Sequence, residues 1–125
     1  MATLDHLILA VDDLDSSVRF YADIVGLAPD GTDGPFTVLR VSPTTVLLLS
    51  PWGSGGHQHH LAFALEPDEF DAAFGRVKAA GIPYGDSYHD VGNMKEPGDE
   101  MGARGMAPSL YLFDPSQHLI ELRHY

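Results

Sequence analysis

The sequence predicts an α+β fold made of two tandem units with the same order of elements. Three observations carry that expectation. Short apolar runs of strand length alternate with two stretches in which apolar residues recur at helical spacing. The segment DHLILAVDDLDSSVRFYADIVGL (5–27) can be set over HHLAFALEPDEFDAAFGRVKAAGI (59–82), where a histidine, an acidic helix start and a closing glycine recur at offsets of 54 to 56. Between them PWGSGG, at 51–56, forms a flexible break that is too short to separate domains. The expectation is one domain over 1–125, with a first half over about 1–52 and a second over about 57–125.

Residues 4–11, LDHLILAV, are apolar and strand-length. Asp12, Asp13 and Asp15 supply caps and negative charge for a helix start, and Leu14, Val18, Tyr21 and Ile24 form a stripe ending at Gly26, which predicts a helix over 14–25. DGTDG at 30–34 reads as turn chemistry. FTVLRVS and TTVLLLS are β-rich runs broken by Pro43, so the first half reads β-α-β-β. The second half opens with a strand over 59–65 and a helix over 68–80, with Phe70, Phe74 and Val77 on one stripe and Gly81 as the stop. Residues 82–108 hold five glycines and read as a long, largely irregular loop or lid. SLYLFDPSQHLIELRHY closes the chain as two apolar runs around 114–117, a β-hairpin signal.

Composition excludes several classes of function. At 125 residues a folded chain buries roughly two thirds of its unfolded surface, enough for a real core. Eighteen carboxylates against seven Lys and Arg repel phosphate backbones and anionic lipid, so neither nucleic acid nor a membrane surface is an expected partner. No apolar run approaches membrane-spanning length, and the first residues lack a basic start and a small-residue cleavage site, which predicts a soluble, cytoplasmic protein. The absence of cysteine removes disulfides, thiolate chemistry and sulfur-ligated zinc. Any metal must therefore be held by imidazole and carboxylate.

Three polar residues interrupt otherwise apolar strands: His6, His60 and Glu121. Strand alternation sets His6, Ile8 and Ala10 on one face, and His60, Ala62 and Ala64 on the equivalent face of the second half. Small residues on those faces leave room for a cavity. An ionised carboxylate in HLIEL is expensive to bury unless a cation or several donors receive it, and a divalent metal would do so. If the last hairpin turns about Ser116, Tyr111 lies opposite Glu121 on the same side. Two imidazoles and one carboxylate make a facial triad with open coordination positions. The bland alternatives are hydrogen-bonded structural histidines and an ion pair from Glu121 to Arg123 or Arg40. His57 and His59 read as solvated, His118 as a turn residue, and Arg104 in GARG as a solubilising residue or a contact for an anionic substrate.

At these residues the chain resembles the vicinal oxygen chelate superfamily, which contains glyoxalase I, bleomycin-resistance proteins, fosfomycin-resistance enzymes and extradiol dioxygenases. The likeness is carried by LDHLILAVDDLDSSVRFYADIVGL, by HHLAFAL with FDAAFGRVKAAGI, and by SLYLFDPSQHLIELR. It implies paired βαβββ modules whose sheets curl around a metal-binding cleft, with His6, His60 and Glu121 as ligands of a divalent ion (Fe2+, Mn2+, Ni2+ or Zn2+). It also implies a homodimer, each metal site drawing the first-strand ligand from one subunit and the others from its partner. Tyr111 matches a tyrosine that, in the fosfomycin enzymes and extradiol dioxygenases, stands ten positions before the glutamate and itself touches substrate. Three departures bear on the activity: RVSPTTVLLLS lacks the fourth carboxylate of glyoxalase I, the same stretch lacks the second-sphere histidine of extradiol dioxygenases, and Ile8 replaces the threonine of fosfomycin transferases.

The expected function is a metal-dependent enzyme acting on a small oxygenated substrate chelated to the ion, by dioxygenase-like or lyase chemistry, with Tyr111 orienting that substrate. The alternatives are a glyoxalase-like isomerase and a non-catalytic protein that binds an antibiotic or toxin and confers resistance.

Overall fold

A computed structural model describes all 125 residues. The chain divides into two compact units, Met1–His57 and Gln58–Tyr125.

The first unit contains β1 (His6–Ala10), α1 (Leu14–Arg19), β2 (Ala28–Asp33), β3 (Phe36–Ser42) and β4 (Thr45–Ser50) in one sheet of order β1-β4-β3-β2, with β1 parallel to β4. Asp13 caps α1 by accepting the Ser16 amide N–H at 3.3 Å. The single helix expected over 14–25 changes pitch: Phe20–Val25 is a π-helical turn that ends at Gly26, whose φ of 98° only glycine adopts without strain. Phe20, Tyr21 and Val25 are buried from this segment, and Leu9, Leu47 and Leu49 from the strands.

The residues expected to turn instead form a strand. Thr32 and Asp33 pair with Thr37 and Phe36, so DGTDG lies largely within β2, and the reversal falls at Gly34. The physical reason is an irregular register between Pro29 and Thr32 with Gly31 at φ 77°, which absorbs the turn-forming residues inside an edge strand. Being exposed along its whole length, β2 carries no apolar alternation to read.

The second unit contains β5 (His60–Ala64), α2 (Pro67–Ala79), β6 (Gly98–Gly102), β7 (Gly105–Phe113) and β8 (Leu119–Arg123), in a sheet of order β5-β8-β7-β6 with β5 parallel to β8. It repeats the order of the first, as the internal echo predicts. Phe70, Ala73, Phe74 and Val77 of α2 are buried, as are Ile120 and Leu122 of β8. All five residues of β8 are buried, including Glu121 and Arg123.

The expected long loop is shorter than 82–108. Residues 98–108 belong to the β6–β7 hairpin, turned by Gly105 at φ 101°. The glycines that suggested irregularity serve close approach here: a Cβ on Gly102 would fall on the Arg123 guanidinium, and one on Gly98 would lie 3.2 Å from the Asp86 carbonyl. Residues 82–97 keep no regular structure but are tied down. Gly85 and Tyr111 exchange both backbone hydrogen bonds at 2.9 Å, and the Tyr84 carbonyl accepts the N–H groups of Gly92 and Met94.

Candidate functional site

The candidate site is built on the face of the second sheet that carries Glu121. Tyr111 pairs directly with Glu121 and Ser109 with Arg123 across the β7–β8 hairpin, in the register that a turn about Ser116 requires. Asp114 holds that turn, its Oδ1 accepting the N–H groups of Ser116 (2.9 Å) and His118 (2.8 Å). On the other side β5 pairs with β8 so that Ala62 faces Glu121 and His60 faces Leu119. His60 therefore reaches Glu121 on the diagonal, with Nε2 3.1 Å from Oε1.

Glu121 is engaged by its own chain. Its side chain is 6% exposed, and Arg123 Nη1 donates to Oε2 at 2.6 Å. His60 Nε2 lies 3.1 Å from Oε1 and the Tyr111 hydroxyl also hydrogen-bonds the carboxylate, while the Ser109 hydroxyl donates to the Ala107 carbonyl at 3.2 Å. Arg123, His60 and Tyr111 take three of the roughly four acceptor positions of a carboxylate. Burial raises the Glu121 pKa, yet the hydrogen bonds from Arg123, Tyr111 and His60 outweigh it and leave the group below its ordinary value. Tyr111 moves the other way: burial, the Glu121 charge and the hydrogen bond to Glu121 all push its pKa up, so the phenol keeps its proton. Of the two ion pairs open to Glu121, the structure forms the one with Arg123. Arg40 binds Asp30 at 2.9 Å.

His6 stands in the first unit on the exposed face of β1, with Nδ1 2.8 Å from Asp5 Oδ2. An ionised carboxylate only accepts, so this contact puts the proton on Nδ1 and leaves Nε2 with a free lone pair. A metal-ligating histidine is oriented in the same way. No three His, Asp or Glu side chains of one chain gather to hold a metal. The pair His60 and Glu121 nevertheless fits two ligand positions. Neighbouring ligands of an octahedral ion at about 2.1 Å each are about 3.0 Å apart, close to the observed 3.1 Å.

The remaining expectations fall as follows. Arg104 is exposed at the β6–β7 turn, its guanidinium 4.1 Å from the Tyr125 ring centre. His118 is fully buried, and its Nδ1 accepts the His59 N–H at 3.0 Å, which makes it structural. His57 and His59 are exposed. Sequence reasoning passed over Asp5, Ser109 and Gly102. The alternation that placed Tyr111 beside Glu121 also places Ser109 on that face and could have found it.

A duplicated βαβββ unit is one fold class, and here its second copy brings an imidazole and a carboxylate together on adjacent strands. A model of the Glyoxalase/Bleomycin resistance protein/Dioxygenase superfamily matches residues 3–122, and the chain belongs to that superfamily. Among solved structures it is similar to Oxidase ChaP-H1, at 32% identity and a TM-score of 0.78, covering 100% of this chain and 97% of that one. Oxidase ChaP-H2 is similar at 29% identity and a TM-score of 0.79, covering 99% and 94%. Virulence protein STM3117 of Salmonella typhimurium is 24% identical over 132 residues, spanning 98% of this chain and 83% of that protein. No helix is long and apolar enough to cross a membrane.

Proposed function

We propose that the protein is a metal-dependent enzyme that oxidises a small oxygenated substrate with molecular oxygen as the electron acceptor. The observation that carries this reading is the approach of His60 Nε2 to Glu121 Oε1 at 3.1 Å on neighbouring strands, beside a phenol that cannot ionise near neutral pH. His60, Glu121 and His6 would hold the ion, with His6 supplied by the first strand of a second copy in a homodimer. Such a partner would cover Leu4 and Ile8, both exposed and each two residues from His6. Names of two relatives at 29% and 32% identity favour oxidation over the lyase alternative.

A bound divalent ion supplies Lewis acidity and stabilises enolate-like charge on a chelating substrate. The chain's own residues do the rest. The Tyr111 proton is committed to Glu121, so its oxygen orients substrate by accepting a hydrogen bond from a substrate hydroxyl. Asp5 fixes the His6 tautomer so that Nε2 faces outward as a ligand. Arg104, on the hairpin turn, would meet an anionic group of the substrate.

The test is metal content together with oxygen consumption. Protein repleted anaerobically with Fe2+ or Mn2+ is expected to hold about one ion per chain, to lose it in Glu121→Ala, and to run as a dimer by light scattering. Absence of stoichiometric metal in the wild type overturns the proposal.

One observation favours a second reading. Glu121 is held by Arg123, Tyr111 and His60 without any ion, as suits a protein that binds a small toxic molecule and does not turn it over. Ligand affinity that survives chelators and His60→Ala would support that reading against the enzyme.

A further inference from the structure

Arg123 is among the most constrained side chains of the second unit. It is 4% exposed, and its guanidinium makes four hydrogen bonds: Nη1 to Glu121 Oε2 (2.6 Å) and the Met101 carbonyl (3.2 Å), Nη2 to the carbonyls of Glu100 (3.0 Å) and Gly105 (3.1 Å). Its centre lies 5.0 Å from the Tyr125 ring, the ring that Arg104 also covers. Room for it exists because residue 102 is glycine. A Cβ there would collide with the guanidinium and with the Tyr125 hydroxyl. Three of the four bonds go to main-chain carbonyls of the β6–β7 hairpin, so the guanidinium plane is set by backbone. A lysine ammonium is a point charge that cannot reproduce such a fork.

Only the fourth bond reaches the candidate site, and it takes one carboxylate oxygen. Oε2 is held by Arg123, while Oε1 faces His60. We propose that Arg123 is a positioning residue that locks Glu121 as a one-oxygen ligand and makes the β6–β7 hairpin, through Gly102, part of the scaffold of the metal site. This rests on the metal-binding reading above. Charge alone would explain the ion pair, but it would not require three backbone carbonyls and a glycine cradle to orient it.

The test uses the full chain, with Co2+ as the probe because its visible absorption reports ligand number and geometry as well as affinity. Arg123→Lys keeps the charge and loses the fork. Gly102→Ala keeps the arginine and displaces it. Both variants are compared with the wild type after near-UV circular dichroism shows them folded. Each is expected to bind Co2+ at least about ten-fold more weakly, the usual effect of losing a residue that orients a ligand, with an altered visible spectrum. If the folded variants match the wild type in affinity and spectrum, the proposal is overturned while the metal reading stands. It is also overturned if either folded variant keeps the wild-type spectrum with only weaker binding, since charge or general stability then explains the loss. Should one variant fail to fold, the other decides alone. A wild type that binds no Co2+ removes the metal reading itself, and the positioning role with it.

Discussion

His60 Nε2 lies 3.1 Å from Glu121 Oε1, although the two residues are 61 positions apart in the chain. The parallel pairing of β5 with β8 closes that distance, and the burial of β8 makes it matter. A carboxylate in that strand must be compensated at every oxygen, so removing any partner has a predictable sign.

Glu121→Gln removes the negative charge and leaves the Arg123 guanidinium buried beside a neutral amide. Breaking a buried ion pair from one side is expected to lower stability by roughly 3–5 kcal/mol. Urea denaturation of the metal-free protein checks this. A loss below about 1 kcal/mol would show that the three hairpin carbonyls alone satisfy Arg123.

The pH dependence follows from the two opposed shifts. Folded Glu121 holds its proton less tightly than in the unfolded chain, so its contribution is complete above the usual carboxylate range and is lost as pH falls through the lowered folded value. Tyr111 is the reverse. Its folded pKa is raised, so its contribution is complete below about pH 10, the usual tyrosine value, and declines as pH rises above it. Urea midpoints of the metal-free protein should fall less steeply in acid for Glu121→Gln, and less steeply in alkali for Tyr111→Phe, than for the wild type. Parallel curves would contradict both assignments.

His6→Ala separates binding from folding. The His6 side chain is 51% exposed and its hydrogen bond with Asp5 is at the surface, where such contacts contribute little. Stability should change by no more than about 0.5 kcal/mol, while elemental analysis after repletion shows the metal lost. Full metal retention would exclude His6 as a ligand.

Gly85→Ala tests how residues 82–97 are held. A Cβ at Gly85 would collide with the Asp90 carbonyl, which belongs to backbone and cannot swing aside. A cost of about 1–3 kcal/mol is expected from overpacking, with faster amide hydrogen exchange at Gly85 and Tyr111, whose mutual hydrogen bonds would break. Unchanged exchange at both amides would show that this bridge does not anchor the segment.

Much of the fold was legible because the two helices and most strands carry local patterns. The stripe of Phe70, Phe74 and Val77 and the stop at Gly81 depend only on neighbours a few residues away, and so does the Asp114 turn that sets Tyr111 opposite Glu121. β2 was not legible, because an exposed edge strand with an irregular register has no apolar face to read. β6 was missed because its glycines serve Arg123 and Asp86, groups distant in sequence, so turn chemistry and close approach look alike in one dimension.

The sequence by itself determined the α+β class, the repeated order of elements and the candidacy of His6, His60, Tyr111 and Glu121. Those follow from period-two and period-3.6 patterns, and from the cost of a carboxylate in an apolar strand. Only the tertiary structure decided what receives that carboxylate. Arg123 and Arg40 were both open as partners in the sequence, and the structure pairs Arg123, whose guanidinium the β6–β7 hairpin surrounds with three carbonyls and a side-chain-free Gly102. Desolvating a charge requires several partners at once, and chain segments far apart in sequence supply them only when the sheet has formed.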